Sequence, residues 1–152
     1  MNNGLRETID RFYSSNAFAV VGVSANRRKF GNIIYRAMRE RRFTVYPVHP
    51  ALQMIEGDKC YHSVMDLPEQ VKSVVTVVPP KMTEDVIADC VRKGIRTVWM
   101  QQGSESEDAR DIARAYDIAV IYKECLLMFL EPVTSVHAVH RWFKKVVGAW
   151  PE

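Results

Sequence analysis

With 152 residues, 47% of them hydrophobic and 26% charged, the chain has the length and balance of one soluble globular domain with a sizeable core. Its 21 basic and 18 acidic side chains leave a formal charge of +3, too small an excess to argue for nucleic acid, so the placement of the cations matters more than their number. Three cysteines, Cys60, Cys90 and Cys125, lack any CxxC spacing and exclude a disulfide framework or zinc site. No apolar signal core opens the chain and no apolar run reaches the length of a membrane span, so a cytoplasmic location is expected by elimination.

In chain order, residues 5–13 read as a short leading helix and 17–23 (AFAVVGV) as an apolar strand ended near a glycine. Residues 33–41 follow as an amphipathic helix with Ile33, Ile34, Ala37 and Met38 on one face. Strands are expected at Thr44–Val48 and 73–78, then a helix at 83–93 that Gly94 stops. A strand at 96–100 leads to Ser104 and Glu107, which fit a capping box opening a helix that carries Ala109, Ile112, Ala113 and Tyr116. A fifth strand falls at 119–122. Apolar strands each followed by a helix predict a Rossmann-like α/β fold, a doubly wound, mainly parallel five-stranded sheet with helices on both faces. One domain over 1–152 is expected, its core at about 5–131. A C-terminal helix at about 133–150 would put Val136, Val139, Phe143 and Val147 on one side, a face suited to the body or to a homodimer contact.

Ligands of doubly wound sheets bind beyond the carboxyl ends of the strands, where strand order reverses. The first such loop runs from Gly22 to Asn32, with Gly22 allowing a tight turn and Gly31 at the helix entrance, where backbone approaches a ligand. A helix N-terminus with Arg27, Arg28 and Lys29 beside it is suited to anionic phosphate. The spacing is not GxGxxG, because Ser24 stands for the second glycine and the loop is longer. The second strand ends Val48-His49-Pro50 without the acid that holds the ribose diol of NAD. Coenzyme A and NADP, each with a phosphorylated ribose, pass this test better than NAD.

The run VVGVS, a basic loop, a helix and a strand ending VYPVHP resembles the small bacterial and archaeal CoA-binding domain proteins. These are stand-alone relatives of the CoA-binding domain in the α subunit of succinyl-CoA synthetase. The resemblance continues through Glu56-Gly57-Asp58-Lys59-Cys60-Tyr61, Val77-Val78-Pro79-Pro80, the stretch 98–103 and 124–128, and covers residues 5–131. It implies binding of coenzyme A or acyl-CoA at the carboxyl edge. Gly22, Val23, Ser24 and the basic loop would hold the pyrophosphate, with Asn32 at the helix start. His49 and Pro50 would lie near the adenosine, Val78, Pro79 and Pro80 along the path of nucleotide and pantetheine, and Gln101 further along that edge. His49 departs from the family, which usually has Asn there, and the tail extends past its usual end.

Catalysis is not expected. The synthetase works through a phosphorylated histidine in a further domain, so its ligase activity is not carried over. No GxSxG elbow, Walker loop, paired carboxylates or metal motif stands in the sequence. His137 and His140 are three apart but have no acidic or cysteine partner, so no metal is expected there. Cys125, after the last strand, is either a small buried apolar residue or a thiol able to form a mixed disulfide with CoA. The reading is therefore a CoA-binding module. An NADP(H)- or NAD(H)-binding oxidoreductase or redox-sensing domain is the alternative, and a ligand-free scaffold a third reading.

Overall fold

Alternation along the first strand sorts the molecule into two layers. The structure, a computed structural model, describes residues 2–130. In β1 (Ala17–Val21) every residue is buried, with Phe18 and Val20 on one face and Ala17, Ala19 and Val21 on the other. The first face packs with Ile9 and Phe12 of α1 (Asn2–Tyr13) and with Ile34, Tyr35 and Met38 of α2 (Phe30–Glu40). The second packs with Ile87 and Cys90 of α3 (Pro80–Lys93) and with Ala109 and Ala113 of α4 (Glu107–Ala115).

Around β1 lie β2 (Thr44–Val48), β5 (Ser73–Thr76), β6 (Thr97–Met100) and β7 (Ala119–Ile121) in the order β2-β1-β5-β6-β7. Every pairing in this sheet is parallel. The Rossmann-like α/β fold with helices on both faces is thus present, and the sheet is parallel throughout. β5 and β6 are buried along their whole length, as strands covered on both faces must be. Two of their three buried hydroxyls satisfy each other, Ser73 Oγ lying 2.5 Å from Thr97 Oγ1. Trp99, fully buried, donates its indole N–H to the Glu124 carbonyl at 3.0 Å.

A second sheet, the two-residue hairpin β3 (Met54–Ile55) and β4 (Asp58–Lys59), has no counterpart in the sequence reading. Two residues a side are too few to show alternation. The helices also start earlier than periodicity implies, α2 at Phe30 and α3 at Pro80, because first turns lie at the sheet edge and need not be amphipathic. Gly94 does end α3, in the left-handed conformation with φ 75°.

The start of α4 is a correction. Ser106, not Ser104, is the N-cap, its hydroxyl accepting from Ala109 N at 3.3 Å. Glu107 is then the first helical residue rather than the third and cannot reach back to close a capping box. Ser104 is buried instead, its hydroxyl 2.9 Å from Thr76 Oγ1 and 2.8 Å from Thr83 Oγ1. Tyr116 follows the helix as its C-cap and is 64% exposed, not a core residue. The expected helix at 133–150, with Val136, Val139, Phe143 and Val147, and the His137–His140 pair lie outside the described residues. Among the described residues no helix is long and apolar enough to cross a membrane.

Candidate functional site

From β1 the chain steps outward to β2 and then returns across β1 to β5. At that reversal the connections leave in opposite directions and open a cleft at the carboxyl edge. The cleft has a volume of about 400 Å³. It is walled by Val21–Ser24 after β1, by Lys29, Phe30 and Gly31 at the start of α2, by Val48–Pro50 at the end of β2, and by Val77–Pro79 with Met82.

Backbone contact makes the first wall. Gly22 has φ 114°, and a β-carbon there would lie 2.3 Å from the Val77 carbonyl oxygen. A β-carbon on Gly31 would meet the Gly22 carbonyl oxygen at 2.2 Å. Only hydrogen fits at both places, so the first turn of α2 rests on the peptide that leaves β1. The fully buried Asn32 then clamps the loop: its Oδ1 accepts from Ser24 N and its Nδ2 donates to Ser24 O, each at 2.8 Å. Ser24 Oγ in turn accepts from Asn26 N at 3.1 Å, and Asn26 Oδ1 from Arg28 N at 3.0 Å.

This folding leaves the start of α2 open. Its N-cap is Lys29, which makes no side-chain cap bond; its carbonyl accepts from Asn32 N and Ile33 N, each at 3.1 Å, so the positive end of the helix dipole opens at Phe30 and Gly31, both of which line the cleft. Lys29 lines the cleft and Arg28 stands exposed beside it. Arg27 is turned elsewhere, its Nε donating to Glu56 Oε1 at 3.0 Å. Glu56 also accepts from Arg36 Nη1 at 3.0 Å. Burial works against the charge of this carboxylate, but hydrogen bonds from Arg27 and Asn32 and the cations Arg36 and Arg27 outweigh it and hold its pKa below the ordinary value.

At the far wall, His49 Nδ1 accepts from Ala51 N at 3.1 Å, which puts the proton of the neutral ring on Nε2 and makes that atom a donor. Pro50, Val78 and Pro79 line the same cleft, while Pro80 lines a neighbouring cavity of about 440 Å³ with Gln102, Gly103 and Ser104. Phe30, Val77, Val78 and Pro79 border both cavities, making one continuous edge.

Gln101 is placed differently from its expected position along that edge. It is 1% exposed and its Oε1 accepts from Leu126 N at 3.0 Å, so the next residue, Gln102, is the amide at the edge. Cys125 lies in the core with Phe12, Trp99 and Leu126 and does not line either cavity. Among the described residues no group of three or more His, Cys, Asp or Glu could hold a metal ion. Sequence reasoning missed the apolar lining residues Phe30, Val77 and Met82 and the buried acid Glu56. Phe30, Val77 and Glu56 stand inside the segments that carry the resemblance and Met82 stands outside them, but nothing local marks any of the four as lining or bracing the cleft; the role of Glu56 depends on the hairpin folding against α2.

The model of the CoA binding domain family matches residues 16–131, a span that takes in the whole five-stranded sheet. The chain belongs to the CoA-binding domain family. Two solved structures are similar to it. One is a conserved hypothetical protein from Pyrococcus furiosus, 37% identical, with a TM-score of 0.73 over 76% of this chain and 99% of that one. The other, a hypothetical protein from Pyrococcus horikoshii OT3, is 28% identical with a TM-score of 0.72 over 83% of this chain and 87% of that one. Among larger proteins, acetate–CoA ligase (ADP-forming) I from Archaeoglobus fulgidus is 28% identical over 130 residues. That alignment takes in 79% of this chain but 19% of the ligase. This CoA-binding domain is thus related to the CoA-binding domains of ADP-forming acyl-CoA synthetases.

Proposed function

We propose that this CoA-binding domain holds coenzyme A or an acyl-CoA in the cleft at its carboxyl edge and performs no chemistry of its own. The observation that carries the reading is the uncapped first turn of α2, drawn against the β1 turn by the Gly22–Gly31 contact and flanked by Lys29 and Arg28. Free N–H groups, a helix dipole and two cations at one point suit a pyrophosphate, and each charge-assisted bond there contributes about 1.5–3 kcal/mol. In this reading Val23 and Gly31 offer backbone N–H groups and Ser24 its hydroxyl to the pyrophosphate, Gly22 lets the backbone come close, and Asn32, which holds both backbone groups of Ser24, keeps the turn in shape.

His49 Nε2 and Pro50 meet the adenosine, and Val78, Pro79 and Pro80 guide the pantetheine toward the second cavity, where Gln102 takes the role first expected of Gln101. The end of β2, Val48-His49-Pro50, supplies no carboxylate for a free ribose diol, which favours a phosphorylated ribose over NAD. Three free, buried cysteines suit a reducing cytoplasm. A homodimer is proposed for the whole chain, and sedimentation velocity tests it.

Isothermal titration calorimetry of the ligand-stripped protein with CoA, dephospho-CoA, NADP and NAD tests the reading. CoA is expected to bind more tightly than the other three, and loss of affinity for dephospho-CoA assigns part of the energy to the 3′-phosphate. Tighter binding of NADP or NAD would move the domain to the redox class, and no heat with any ligand would leave the scaffold reading.

A further inference from the structure

We infer that Glu56 is the positioning residue of the phosphate-binding loop, and that Arg27 belongs to its anchor rather than to the ligand. The inference rests on reading the cleft as a CoA site. Glu56 sits at the tip of the β3–β4 hairpin, and its side chain is 5% exposed. One oxygen, Oε1, gathers three donors from two directions. Arg27 Nε and Arg36 Nη1 lie at 3.0 Å and Asn32 Nδ2 at 3.5 Å. Arg36 Nη1 also donates to the Arg27 carbonyl at 3.0 Å, so a side chain of α2 grips the loop backbone as well. Asn32, the same residue that clamps Ser24, is the third member. Hairpin, loop and α2 therefore meet at a single carboxylate.

The backbone of Glu56 gives independent support. Its φ is 53°, and Gly57 after it has φ 86°. These are the two central residues of a two-residue hairpin turn, where Asn-Gly or Asp-Gly would be favoured and a long side chain is strained. Turn chemistry alone does not select glutamate here. What glutamate has and Asn or Asp lacks is reach, which spans from the hairpin to Arg36 and Arg27. A second hairpin acid, Asp58, accepts from Tyr35 and Arg39 further along α2, so the hairpin lies along that helix through two carboxylates.

Charge arithmetic explains how an acid serves a phosphate site. Two guanidinium groups face one carboxylate, which leaves the cluster net positive. Glu56 anchors the loop without cancelling the field at the start of α2, and Arg28 and Lys29 stay free for the ligand's phosphates.

Limited trypsinolysis of the ligand-free full chain tests the anchor without using CoA, because Arg27, Arg28 and Lys29 are themselves cleavage sites. Glu56→Asn relieves the turn but removes the reach, and Glu56→Gln keeps the shape but removes the charge. Both are expected to be cut after residues 27–29 about tenfold faster than wild type, with cleavage after Lys123 unchanged and the melting temperature of Glu56→Asn not lowered. CoA affinity of both variants is expected to fall about tenfold. Arg36→Gln, on the helix rather than the hairpin, should loosen the same bonds and guards against a hairpin variant that fails to fold. Unchanged cutting overturns the anchor whatever CoA does, and faster cutting with wild-type or tighter CoA affinity overturns the positioning role. Faster cutting in a protein whose wild type ignores CoA would sink the ligand reading and leave the anchor standing.

Discussion

Gly31 lies against the peptide of Gly22 so closely that a β-carbon on Gly31 would stand 2.2 Å from the Gly22 carbonyl oxygen and 2.7 Å from its carbonyl carbon. Neither is the tip of a flexible side chain, so a larger residue can be fitted only by moving α2 off the β1 turn. Gly31→Ala is expected to destabilise the fold by about 1–3 kcal/mol and to weaken CoA binding more than the loss of stability alone implies. Gly94→Ala is the contrast. Its site is open but has φ 75°, so it should cost about 1 kcal/mol of stability and leave CoA affinity unchanged. Urea denaturation and calorimetry on the pair check both halves, and equal affinity losses would contradict the argument.

Among the described residues Arg28 and Lys29 form no ion pair, and they stand beside the open helix start. Reversing both, Arg28→Glu with Lys29→Glu, is expected to lower CoA affinity about 10–100-fold at low ionic strength. The gap should narrow as salt is added, since exposed charges are screened within about 10 Å at 0.1 M. Titrations across a salt series read this directly. A gap that ignores salt would assign the loss to altered loop shape instead.

The ionisation of Glu56 links stability to acid. Its folded pKa lies below its ordinary value of 4.5 because the bonds from Arg27 and Asn32 and the nearby cations outweigh the opposing effect of burial. The unfolded chain therefore takes up this proton first. The stabilisation is fully present above about pH 4.5 and is lost as pH falls through the depressed folded value. Glu56→Gln should unfold at lower urea than wild type at neutral pH, with the two midpoints converging as pH falls below the depressed folded pKa of Glu56. Midpoints that keep a constant separation would show that the charge of Glu56 is not what the fold uses.

All three thiols are shielded in the described structure, Cys60 at 4% exposure, Cys90 at 0% and Cys125 at 6%. Burial raises the pKa of Cys60 and, more strongly, of Cys90, so neither supplies thiolate at neutral pH. Labelling by an aromatic disulfide reagent is expected to proceed no faster than unfolding. Oxidised CoA should leave no adduct on native Cys125, which mass spectrometry under non-reducing conditions would reveal. An adduct formed without unfolding would bring the mixed-disulfide reading back.

The five strands of the main sheet, the helices between them, the sheet's mainly parallel character and the loop after β1 were legible in the chain. The reason is local: strands buried on both faces must be apolar throughout, and helices between them repeat their apolar residues at a period the eye can follow. A cation run between a strand end and a helix start is equally local, so the place of the site could be read before its shape. The rest depended on residues far apart in sequence. Arg27 meets an acid 29 positions later, Gln101 bonds a backbone amide 25 positions later, and Ser104 is drawn into the core by Thr76 and Thr83 while Ser106 caps the helix. Such choices turn on which partner stands within about 3 Å, and only the packing of hairpin, sheet and helices brings those partners together.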